Sequence, residues 1–435
     1  MFQIKYNKLN LFSLGLITFF FINNIIFFKP EFASDYDTHW AYLAGTTFGY
    51  TDPKWIFPNW VYGPWYYMFC SYLFGPIFFL LYKMNIIDIY YAAMYSMLFG
   101  TFILKILTLI GCYRLGKKLF NNNREISSVF ACLLISIPFA NKDFYEHSSE
   151  TMGIMLITWC LYYLINYFRK GKKKYLLLYL LFLGVGATLK MNVTIPFLIF
   201  CFTCIFFNDQ KDYKNNRRNK IICLSILSLI IFILLYYFFI DNWIWENSDF
   251  RNSSRNYGEP PDLNVFLTFN FLEIWNQGVY PNLKNSFWNT VLADFFGDYF
   301  NSAYLPNGNN YSSDYILFKI RLGLIFSILF FIFLILSVSM IIIKSSLKLN
   351  KIMNFRIIFS LLFYLFLFQS ICYSYVVYHK LGGSWDIRYS GIYALPLCYS
   401  LIQIMIYFKS TNYKYIINYF FISIILFSIF QRIIL

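Results

Sequence analysis

Long apolar runs separated by short polar or basic stretches organise this chain. The runs cover residues 11–28, 66–81, 89–111, 126–140, 151–168, 176–189, 193–207, 221–240, 316–343, 357–377, 389–408 and 415–434. Several reach 18 residues or more, the length a helix needs to cross about 30 Å of hydrocarbon. None alternates apolar and polar positions in the way a half-buried strand does. The pattern predicts an all-α polytopic membrane protein. No small-residue cleavage site follows the first run, so residues 11–28 are expected to stay as a helix rather than leave as a signal peptide.

Charge placement sets the expected topology. Basic loops favour the cytoplasmic side. The N-terminus carries Lys5 and Lys8, and the next basic patch is Arg114, Lys117, Lys118 and Arg124. If both are cytoplasmic, only one of 66–81 and 89–111 can cross. The first is short and holds Gly75-Pro76, so it is expected as an interfacial or re-entrant helix, which protein packing can support. The remaining runs then alternate, giving about eleven crossings. Large outer loops fall at 29–88, the expected catalytic loop, and at 241–315. The expected domains are a core over 1–410 and a C-terminal helix over 411–435.

Composition agrees. The chain is 59% hydrophobic and 13% charged, where soluble domains carry about 25% charge. The net charge of +15 would suit a nucleic-acid surface, but the basic residues gather in the expected inner loops. Those loops hold acids only at Glu125, Asp209 and Asp212, out of 21 acids in the chain. The charge is therefore a topology signal, and no nucleic-acid partner is expected. The nine cysteines lie in or beside apolar runs, as buried thiols do, with no metal or disulfide spacing. No Walker A loop, GxGxxG, HExxH or GxSxG occurs.

The candidate chemistry sits in the first outer loop. Residues 33–65 read ASDYDTHWAYLAGTTFGYTDPKWIFPNWVYGPW. A polar, ring-rich and proline-rich loop of this length is usually functional or disordered, and the rings argue against disorder. Asp35 and Asp37 can both face a pocket from an irregular loop. One could take a proton from an acceptor hydroxyl while the other orients the acceptor or holds a divalent cation. Solvated loop acids are the plain alternative. His39 lies beside them, and Tyr62-Gly63-Pro64 is a turn signal before a helix. Glu146 and His147 occupy the second outer loop. Lys190 tips an outer hairpin, and Arg388-Tyr389 opens a late helix. Cations at that interface suit a lipid phosphate, or simply snorkel.

The ordered set of SDYD, VYGPWYY, YRLGKKLF, GVGATLK and DIRYSGIYALP resembles the GT-C superfamily of membrane glycosyltransferases. The resemblance lies near the dolichyl-phosphate-mannose–protein mannosyltransferase and aminoarabinose-transferase branch. It implies a GT-C-like bundle, a polyprenyl-phosphate sugar donor and a glycan, lipid or protein acceptor. It places Asp35 and Asp37 in the acidic pair of the first outer loop. Tyr62, Gly63 and Pro64 fall on the Tyr/His-Pro-Pro box, with Gly63 in place of the first proline. Lys190, Arg388 and Tyr389 fall where the family keeps basic residues near the lipid phosphate. The two acids are separated by Tyr36 rather than adjacent as in that branch.

The expected function is transfer of a sugar to a hydroxyl on the periplasmic or lumenal face of a bacterial inner membrane or endoplasmic reticulum. One rival is a transporter or flippase of lipid-linked saccharide. It would want an ionisable relay within spans, and the pattern offers Lys105 as the clear mid-span candidate, with no mid-span acid partner. The other is a glycan polymerase or ligase with a late catalytic loop, which His379 and Arg388 would suit.

Overall fold

The computed structural model describes residues 65–136, 149–189, 197–198, 201, 215–236, 271–277, 292, 296, 313–345, 394–408, 415, 419–420 and 422–427. Its elements are helices: α1 (Trp65–Lys83), α2 (Ile89–Leu119), α3 (Arg124–Ser136), α4 (Ser149–Lys170), α5 (Lys173–Ala187), α6 (Asn215–Leu235), α7 (Phe271–Gln277), α8 (Ser313–Ser345) and α9 (Ala394–Phe408). Among the described residues there is no strand. Among the described residues, three helices are long and apolar enough to cross a membrane: Tyr95–Leu119, Glu150–Lys170 and Ile320–Met340. The protein is an integral membrane protein by this composition and by its helices.

Several boundaries differ from the hydropathy reading. The basic patch expected as a loop is largely helical, because α2 continues through Arg114, Lys117 and Lys118 to Leu119. Long cationic side chains carry apolar stems and reach the interface from within a helix, so charge alone did not mark its end. α6 likewise starts at Asn215, inside the stretch expected as an inner loop. The expected spans 11–28 and 357–377 lie outside the described residues, and 193–207 is described only at 197, 198 and 201.

The chain divides into two compact units, Met1–Ala131 with Asp143–Arg255, and Cys132–Lys142 with Asn256–Leu435. In the first unit α2 is the shared element. At 31 residues it is about 46 Å long. α1 packs antiparallel along its first half. There Ser96 Oγ donates to the Cys70 carbonyl at 2.9 Å, and Gly100 lies so close to Cys70 that a Cβ would press on its Sγ. α4 runs parallel to the second half. Trp159 Nε1 donates to the Leu107 carbonyl at 2.9 Å, and Cys112 Sγ meets Thr158 Oγ1 at 3.8 Å. Arg169 donates to the Lys118 carbonyl at 2.9 Å. Gly111 makes room for Thr158 and Trp159. α1 and α4 therefore follow one another along α2, and they touch where they meet.

α5 turns back on α4 through Gly171, whose φ of 64° suits a residue without Cβ. Tyr163 stacks near Tyr175 and Phe182. α6 then runs parallel to α5. Tyr179 and Ser225 share a hydroxyl hydrogen bond of 3.0 Å, and Ser228 Oγ donates to the Leu180 carbonyl at 2.9 Å. Such bonds between helices contribute about 0.6–2 kcal/mol each in a membrane. The outward faces of α1 and α6 remain apolar, with Leu73, Ile77, Leu80, Ile226, Ile230 and Ile233 exposed, as lipid contact allows.

In the second unit α7 lies against α8. Arg321 Nε donates to the Trp275 carbonyl at 2.9 Å, and its guanidinium stands 5.2 Å from the Trp275 ring. Phe296, Phe326, Phe330 and Phe427 form a ring cluster. α9 is buried along most of its length, with Pro396 in the first turn, where its missing N–H is harmless.

Candidate functional site

Four helix ends meet in the first unit: the start of α1, the start of α4, and the ends of α5 and α6. Trp65 and Thr188 join two of them. The Trp65 indole Nε1 donates to Thr188 Oγ1 at 2.7 Å across 123 positions of sequence. Thr188 in turn donates to the Gly184 carbonyl at 3.1 Å, which fixes its rotamer. Phe232 of α6 completes the corner, 6.3 Å from the Trp65 ring. Gly184 is packed directly on Phe232, so that any Cβ there would overlap the ring.

Tyr66 ties the same end to α2. Its hydroxyl meets Thr101 Oγ1 at 2.7 Å, and both residues are fully buried. Thr101 already donates to the Met97 carbonyl at 2.8 Å. A threonine has one hydroxyl proton, so Tyr66 is the donor of this bond. Thr101, Lys105, Thr108 and Cys112 follow at spacings of four, three and four, which is one stripe of a helix. The stripe faces Tyr66 at one end and Thr158 at the other. Lys105 stands between them, only 3% exposed.

The α2–α4 register brings the first turn of α4 beside the Thr101–Lys105 turn of α2. Glu150 lies in that turn at 5% exposure. On α2 the side chains lean toward the helix N-terminus, so the Lys105 stem inclines toward the Trp65 end. A buried cation and a buried acid, with hydroxyl and indole groups nearby, mark a polar end in an otherwise apolar bundle. Ionisable groups at such depth are expensive and usually functional.

The residues expected at the site are Asp35, Asp37, His39, Tyr62, Glu146, His147, Lys190, Arg388 and Tyr389, and all lie outside the described residues. Their described neighbours are informative. Trp65 is three positions after Tyr62, Thr188 two before Lys190, and Glu150 three after His147. The flanks of three expected segments are thus gathered at one end of the first unit. Arg388 and Tyr389 precede α9 in the second unit.

The sequence reading missed Trp65, Thr188 and Tyr66 as connecting residues. Trp65 directly follows the Tyr-Gly-Pro box, and Thr188 lies inside GVGATLK, so the motifs held the signal. Nothing in their spacing tells that they bond.

Part of this end of the first unit, without Trp65 and Tyr66, lies in the stretch that a known family matches. Residues 75–237 match the dolichyl-phosphate-mannose-protein mannosyltransferase family. The match supports the GT-C resemblance carried by the motifs, and with it a mannosyltransferase-like glycosyltransferase of GT-C type. It begins midway along α1 and ends just past α6, taking in Glu146, His147, Lys190, Lys105 and Thr188. Asp35, Asp37, His39, Tyr62, Arg388 and Tyr389 lie beyond it. No curated protein matches the chain.

Proposed function

We propose that the chain transfers a sugar from a polyprenyl-phosphate donor to a hydroxyl of a glycan, glycolipid or protein, at the outer face of the membrane. The acceptor oxygen attacks the anomeric carbon, the carbon–oxygen bond to phosphate breaks, and configuration inverts. The acceptor proton passes to Asp35, and polyprenyl phosphate departs. A carboxylate base in that position typically contributes ~10²–10⁴-fold. Lys190 and Arg388 receive the phosphate charge as it develops, with Tyr389 beside it. Asp37 orients the acceptor or, with Asp35, holds a divalent cation. His39, Tyr62, Glu146 and His147 contact the acceptor.

The observation that carries this reading is the Trp65–Thr188 hydrogen bond. It joins the end of the loop that bears the acidic pair to the segment that bears Lys190, within a chain whose middle matches a mannosyltransferase family. Lys105 adds a further cation at the same end. α1 is read as a helix that does not cross, on its shortness and its internal Gly75-Pro76.

The test is a comparison of three loop acids. Asp35→Asn keeps the shape but cannot accept the proton, and should drop turnover at least ~100-fold with donor binding kept. Asp37→Asn should also lose turnover, with altered metal dependence if the pair holds a cation. Asp52→Asn should retain most activity. Wild-type turnover by Asp35→Asn, with Asp52→Asn inactive, would move the catalytic centre elsewhere in the loop.

A further inference from the structure

At the opposite end of the first unit, two neighbouring turns carry a dense rim of cations. Residues 113–124 read YRLGKKLFNNNR and residues 169–174 read RKGKKK, without an acid in either. The first closes α2 through Asn121 and Asn122 at positive φ, and the second joins α4 to α5 through Gly171. The turns are bound to each other, since the Arg169 guanidinium donates to the Lys118 carbonyl at 2.9 Å. Lys118 lies within the electrostatic reach of Lys117, Arg169 and Lys170 together.

The side chains are also held. Lys117 Nζ stands 5.8 Å from the Tyr113 ring, and Lys170 and Lys174 stand 5.8 and 5.4 Å from the Tyr175 ring. Rings in this geometry attract cations and so keep like charges close that would otherwise spread. Helix dipoles explain part of the rim, because cations are favourable at the C-terminal ends of α2 and α4. They do not explain α5. There Lys172 is the N-cap, without a side-chain cap bond, and Lys173 and Lys174 fill the first turn. A helix start favours acids, and three lysines stand there instead.

A fixed cluster of like charges is relieved by an anion. This one lies where two helices long and apolar enough to cross a bilayer end, at Leu119 and Lys170. We propose that the rim is a binding site for anionic phospholipid headgroups, held through their phosphates by Lys117, Lys118, Arg169 and Lys170. The site lies away from the Trp65 end and does not depend on the sugar-transfer reading.

The experiment uses the full chain in vesicles of phosphatidylcholine mixed with phosphatidylglycerol, extracted at physiological salt and weighed intact by native mass spectrometry. Wild type should retain phosphatidylglycerol selectively. The Lys117→Gln, Lys118→Gln, Lys170→Gln triple variant should lose roughly 100-fold in phosphatidylglycerol affinity, as expected for three interfacial cations. The matching triple variant to Arg should keep it. Wild type that takes the two lipids in their bulk proportion overturns the proposal, and that measurement needs no variant. So does a folded Gln variant with wild-type selectivity.

Discussion

Trp65 is a single side chain on which two distant segments depend. Its indole and the Thr188 hydroxyl bond at 2.7 Å in a half-buried corner, where water competes poorly. Trp65→Phe leaves the ring and removes the donor, and Thr188→Val removes the acceptor. Each should lower stability by about 1 kcal/mol. The double variant should fall short of the sum by roughly 0.6 kcal/mol, a typical value for bonds between membrane helices. Thermal unfolding of the purified variants in detergent checks this, and full additivity would show that the bond contributes nothing in solution. The two residues were legible only as members of motifs. Hydropathy grades an indole as apolar and a threonine as neutral, so neither scale nor spacing reveals a pair 123 positions apart.

At the scale of elements, small residues decide which helices approach. Gly100 admits Cys70, Gly111 admits Trp159, and Gly184 admits the Phe232 ring. Gly184→Val should force α6 away from α5 and destabilise the first unit by about 1–3 kcal/mol. Phe232→Ala in the same chain should restore much of the loss by opening space for the new methyl groups. A melt in which the second change makes matters worse would contradict the packing described. Helix existence was well marked in the sequence, since each described helix of ten or more residues overlaps an apolar run. Their ends were not. α2 runs on past its apolar stretch to Leu119, and there the Arg114 and Lys117 charges stand over the Trp159 and Tyr113 rings. α1 is apolar enough to read as a span, and the expectation that it does not cross rests on charge parity, its shortness and Gly75-Pro76.

For the whole molecule, the proposed chemistry draws on residues spread along the sequence from Asp35 to Arg388. The family match covers the middle of the chain and leaves the acidic loop and Arg388 outside. The motif set extends beyond the match on both sides, to SDYD before it and DIRYSGIYALP after it, where residue type alone raises the expectation of chemistry. It could not name the sugar or the acceptor, which depend on pocket shape rather than on short motifs. The central claim is that a polyprenyl-phosphate sugar is the donor. Purified protein in vesicles should therefore be offered radiolabelled sugars as polyprenyl-phosphate and as nucleotide conjugates, with release of polyprenyl phosphate measured over time. The account predicts release from at least one polyprenyl-phosphate sugar, dependent on a hydroxyl acceptor, and none from nucleotide sugars. Transfer from a nucleotide sugar alone, or movement of an intact lipid-linked saccharide across the bilayer without cleavage, would contradict it.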